Sequence, residues 1–117
     1  MHNDYPQYYE QLQKLSAKLS RELRGPISAF AQLNGAATAA GALSTKTKQL
    51  IAVAAAHVTQ CPYCIRGHTK QALQAGATRE QVMEAIWVAA EMRAGAAFAH
   101  ANLALELMSE GGSGFAP

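Results

Sequence analysis

The sequence predicts an all-α fold, a single-domain helical bundle of about six helices that assembles into a homo-oligomer. Three observations predict it. Apolar residues recur at spacings of three and four, β-branched residues are few and never alternate over a useful length, and glycine and proline interrupt the chain at helix-sized intervals. The chain of 117 residues is long enough for one domain and too short for two.

The first predicted helix covers about 6–24 and aligns Tyr8, Leu12, Leu15, Leu19 and Leu23 on one face. Gly25-Pro26 ends it, and Pro26 suits the first turn of a second helix over about 27–40. That helix carries Ile27, Phe30 and Leu33, turns Ala- and Gly-rich, and closes at Gly41. Ser44 or Thr45 caps a third helix reaching about Thr59, with Leu50, Ile51, Val53 and Ala54 facing inward. Pro62 restarts the chain with Cys61 as N-cap, giving a fourth helix that stops at Gly76. Thr78 and Gln81 have the spacing of a capping box and open a fifth helix bearing Val82, Met83, Ile86, Trp87 and Met92. A break is expected at Gly95, then a sixth helix over about 96–108, then a flexible tail over 110–117. The domain core thus spans about 25–108.

Half the residues are hydrophobic, yet many are alanines and only 7% are aromatic. Alanine favours helix but fills a core poorly. A single subunit would have a thin core, which favours burying helix faces, Trp87 and the methionines included, inside the subunit or against further copies. The net charge of +2 is scattered, without the dense basic patch of a nucleic-acid-binding protein. No uninterrupted apolar run is long enough to cross a membrane, and residues 1–25 lack the apolar middle of a signal peptide. A cytoplasmic, reducing location is expected. Two cysteines there point to catalysis or metal binding rather than a structural disulfide.

Those cysteines form Cys61-Pro-Tyr-Cys64, followed by His68. Thiols three residues apart at a helix start can reach each other. The helix dipole, His68 one turn on and Arg66 nearby would all lower the pKa of Cys64. Cys64 is therefore the expected nucleophile, Cys61 the resolving thiol and His68 the acid/base group. The same residues with His57 as a fourth ligand could hold zinc, although helices with apolar faces of their own need no metal to fold. His57 could otherwise point at the site or serve packing, and His100 suits packing or an interface. The string Cys-Pro-Tyr-Cys also occurs in glutaredoxins, but that fold needs a strand before the motif and none precedes it here.

The stretch from Lys48 to His68 resembles the AhpD-like branch of the carboxymuconolactone decarboxylase family. The Ala-Gly-Ala-Thr-Arg-Glu-Gln-Val run at 75–82 and the small-residue helix after Trp87 extend the resemblance over about 25–108. It implies an all-helical fold, trimers or hexamers, and alkylhydroperoxidase or disulfide-reductase activity. The family's second cysteine, which becomes a sulfenic acid, matches Cys64; its first matches Cys61, and its histidine matches His68. Its relay glutamate, twelve positions before the first cysteine, corresponds here to Gln49. An amide can orient His68 or a water but cannot take up a proton. His57, Glu84 and Glu91 are candidate substitutes.

The expected function is a thiol-dependent peroxidase that reduces hydroperoxides with Cys64, Cys61, His68, Gln49 and His57. A dithiol or lipoylated protein would reset it, and no haem, flavin or metal cofactor is called for. The alternatives are a decarboxylase acting on a cyclic lactone acid, whose chemistry needs no cysteine pair, and a redox sensor or assembly subunit with a weakened site.

Overall fold

The structure, a computed structural model, describes residues 5–114, without the side chains of residues 5, 6, 8, 9, 12, 20 and 110–114. Five helices and no strand occur among them: α1 (Tyr5–Glu22), α2 (Arg24–Thr38), α3 (Thr45–Thr59), α4 (Pro62–Gln74) and α5 (Arg79–Gly114). The chain divides into two compact units, up to Lys48 and from Gln49 onward. No described helix is long and apolar enough to cross a membrane.

In the first unit α1 packs on α2. Leu15, Leu19 and Leu23 remain substantially exposed, while Tyr8 and Leu12, the rest of the expected stripe, have side chains outside the described set. Pro26 is the third residue of α2, where its missing N–H costs no helical hydrogen bond. The helix ends at Thr38, ahead of Gly41. Its last carbonyls are taken up locally: Thr45 Oγ1 donates to Thr38 O at 3.0 Å and Lys48 Nζ to Ala39 O at 2.7 Å. A lysine there also opposes the negative helix end. Ser44 caps α3, its Oγ accepting from Thr47 N at 3.1 Å.

The second unit is built around small side chains. Val53, Ala72, Ala77 and Val82 form its buried cluster, with Leu50 and Ile86 packed against it. Ile51, expected inside, is exposed because it lies two residues before Val53 and so falls on a different face of α3. α4 ends with Gly76 at φ 99°, and Ala77 N donates to Ala72 O at 2.9 Å. This left-handed turn folds α4 back onto α5, against which it packs. Thr78 and Gln81 then cap α5 reciprocally, each backbone N–H meeting the other's side-chain oxygen at 3.0 Å.

The main departure from expectation is α5. It continues through Gly95 as one 36-residue helix, so there are five helices rather than about six. An interior glycine costs a helix roughly 1 kcal/mol relative to alanine, too little to break one flanked by alanines. Residues 111–114, expected in the tail, continue this helix, and 115–117 lie outside the described residues. Trp87 is 70% and Phe98 84% exposed, so neither contributes to a core within this chain.

A Cβ built on Gly95 meets only Glu91 Oε1, at an ordinary 3.6 Å. Gly95→Ala is therefore expected to raise stability by about 0.5–1 kcal/mol, measured by urea unfolding. A decrease would contradict a continuous helix through this position.

Candidate functional site

The site forms where α3 hands over to α4. Gln60 takes a left-handed conformation with φ 58°, and Cys61 N donates to Ala56 O at 3.1 Å. This repeats the turn at Gly76, but with a residue for which the conformation costs about 1 kcal/mol. It delivers Cys61 to the N-cap of α4 in extended conformation, with Pro62 as the first helical residue. Cys61 Sγ then accepts the backbone N–H of Cys64 at 3.3 Å, as a capping serine oxygen would.

Both cysteines are reduced and half-buried. Their thiols are perturbed in opposite directions. The Cys61 pKa is lowered, chiefly because the Cys64 thiol donates to its sulfur, then because the Cys64 and Tyr63 backbone N–H groups do so. The Cys64 pKa is raised, because its proton is engaged by Cys61 and because it is partly desolvated and next to the Cys61 charge. Cys61 is therefore the thiol of the pair that ionises more readily. This corrects the expectation that the helix start would lower Cys64: the N-cap sulfur receives the orphan N–H groups directly, whereas Cys64 is one of their donors.

Cys64 and His68 face a common open groove of about 200 Å³, lined also by Ala52, Ala55, Ala56 and Thr59. The alanines of α3 make its wall shallow and apolar. Behind His68 stands Gln49, only 2% exposed. Its Oε1 lies 2.8 Å from His68 Nδ1, and its Nε2 donates to Gln71 Oε1 at 2.9 Å. An amide oxygen only accepts, so His68 carries its ring proton on Nδ1 and leaves Nε2 as the basic nitrogen. Among the described residues, no buried side-chain nitrogen or oxygen lacks a partner.

Of the residues expected from sequence, Cys61, Cys64, His68 and Gln49 are brought together. His57 is not part of this chain of contacts: its Nδ1 donates to Val53 O, one turn back on its own helix, at 2.8 Å. It does not line the groove, and neither do Glu84 or Glu91, both exposed. His100 likewise bonds back along its helix, to Ala96 O at 2.6 Å. No group of three or more His, Cys, Asp or Glu among the described residues is placed to hold a metal ion.

Three residues were missed. Gln71 follows Cys64 and His68 at helical spacing on α4, a signal open to inspection. Arg93 reaches from α5 to donate to Val58 O at 3.0 Å, tying down the end of α3 beside the site. The left-handed Gln60 left no signal, since glycine is the residue that would announce it.

A family model described as the carboxymuconolactone decarboxylase family matches residues 27–107. Uncharacterised protein 4 in the cox locus of Paracoccus denitrificans is 61% identical over 100 residues, covering 83% of this chain and 90% of that one. The crystal structure of an apo carboxymuconolactone decarboxylase family protein from Legionella pneumophila matches with a TM-score of 0.72 at 36% identity, over 92% of this chain and 96% of that one. A family member from Thermotoga maritima, for which a part in the antioxidative response has been suggested, matches with a TM-score of 0.55 at 30% identity, over 73% and 88%.

The sulfur pair can be tested by alkylation against pH. Cys61 should react first with iodoacetamide, with a midpoint below that of an ordinary cysteine. Cys64→Ala removes the donor thiol and should move that midpoint up. A midpoint that stays or falls would contradict the assignment of the thiolate.

Proposed function

This chain belongs to the carboxymuconolactone decarboxylase family, and on that premise we propose that it is a thiol-dependent peroxidase that reduces hydroperoxides at Cys61 and Cys64. The observation that carries the reading is the division of labour between the sulfurs. The Cys61 sulfur accepts the N–H at the helix cap and ionises the more readily of the two, while Cys64 shares the groove with His68. The suggested antioxidative part of the Thermotoga relative points the same way.

The chemistry follows from this division. A hydroperoxide enters the groove, and the Cys64 proton passes to the Cys61 thiolate. The Cys64 thiolate attacks the terminal, hydrogen-bearing peroxide oxygen, the O–O bond breaks, and Cys64 becomes a sulfenic acid. The departing alkoxide takes the proton held by Cys61. Cys61, again a thiolate, attacks the Cys64 sulfur and expels hydroxide, which leaves as water with a proton from His68 Nε2. Two thiol sulfurs lose two electrons to the O–O bond, and one proton enters from solvent through His68. Gln49 Oε1 stabilises the doubly protonated ring through Nδ1–H without taking a proton itself. A dithiol, such as a lipoylated protein, reduces the disulfide by exchange.

The exposed apolar residues of α5, Trp87 and Phe98 among them, support assembly as a homotrimer or homohexamer. A dithiol that must be reset by reduction after each turnover suits a reducing compartment such as the cytoplasm.

Peroxide consumption with a dithiol reductant tests the proposal. Cys64→Ser should abolish turnover, and His68→Ala should lower it by roughly 100-fold or more. Full turnover by Cys64→Ser would sink it. Lactone decarboxylation insensitive to a thiol-blocking reagent would transfer the activity to the other chemistry of the family.

A further inference from the structure

We propose that Gln71 is a positioning residue that decides which nitrogen of His68 carries the ring proton. Its effect on turnover rests on the peroxidase reading above; its effect on the ring does not.

The argument starts from Gln49. At 2% exposure its amide has no water to turn to, and its two ends are committed to His68 and Gln71. Such an amide has two directions. In the structure Gln71 presents Oε1, which accepts from Gln49 Nε2 at 2.9 Å. Gln49 must then present Oε1 to the ring, 2.8 Å from Nδ1, and the proton sits on Nδ1. In the reverse direction Gln71 would donate to Gln49 Oε1, Gln49 Nε2 would donate to Nδ1, and the ring proton would move to Nε2. With a donor held against Nδ1, the ring cannot become the doubly protonated acid that the reaction uses. The choice falls to the far end of the ladder, because the buried amide can reverse only if the group Gln71 presents changes from acceptor to donor.

Gln71 suits this role. It lies on α4 three residues after His68, so ring and ladder end are carried by one rigid helix. It is exposed, so it can be changed without opening the core. It does not line the groove.

The test uses the full chain and two substitutions of opposite hydrogen-bonding sense. Gln71→Glu can only accept and preserves the ladder's direction. Gln71→Lys can only donate and reverses it. The readout is the ¹⁵N chemical shifts of His68 at neutral pH, which separate protonated from bare ring nitrogens. Wild type and Gln71→Glu should show the proton on Nδ1, and Gln71→Lys should show it on Nε2. Peroxide turnover should stay within about twofold in Gln71→Glu and fall roughly 100-fold in Gln71→Lys, the scale of losing the general acid that the doubly protonated ring supplies. A wild-type proton on Nε2, or a Gln71→Lys ring and turnover like those of wild type, overturns the proposal. If wild type consumes no peroxide but the ring signals behave as stated, the peroxidase reading falls and the role of Gln71 stands.

Discussion

The backbone N–H of Cys64 pointing into the sulfur of Cys61 is the contact on which the site depends. It makes a cysteine the N-cap of α4, so one thiol serves both as a structural cap and as the more acidic member of the pair. The same bond orders the pair. One sulfur takes the helix's unpaired donors, and the other, in the first turn, keeps its proton and faces the groove. The left-handed Gln60 and the Cys61 N–H on Ala56 O set up this geometry before the helix begins. Arg93, bound to Val58 O, anchors the preceding helix end from α5.

A second constraint comes from the scarcity of bulk in the core. With Val53 and alanines at its centre, the second unit brings α3 and α4 close enough for Gln49 on one to bond His68 on the other. A buried polar side chain in such surroundings is tolerable only if both ends are satisfied. Gln49 meets that condition through His68 and Gln71, and doing so holds the imidazole. The amide keeps the interior neutral where a carboxylate would bring a buried charge.

Much of this was legible in the sequence, and the failures have physical causes. Spacing and punctuation located each of the first four helices within a few residues, because caps such as Ser44, Cys61 and Thr78 act locally. Gly95 misled because a glycine's helix cost is real but small, and the alanines around it outweigh it. The cysteines, His68 and Gln49 were found from motif and family resemblance. The direction of the Cys64 shift was not, because it turns on which thiol donates to the other, which spacing does not reveal. His57 looked well placed one turn before Cys61, yet a histidine inside a helix can satisfy itself on its own backbone, and this one does. Gln71 carried a signal in its register with Cys64 and His68, but glutamine on a helix surface announces no chemistry until its partner is seen.

The central claim is that Cys64 meets the peroxide although Cys61 is the more readily ionised thiol. The most direct measurement is dimedone trapping, with mass spectrometry, after one equivalent of hydrogen peroxide. Run on Cys61→Ser and Cys64→Ser, it should find a sulfenic acid at Cys64 in the first variant and little modification in the second. Rapid sulfenic acid formation at Cys61 in Cys64→Ser, with Cys64 inert in Cys61→Ser, would contradict the account.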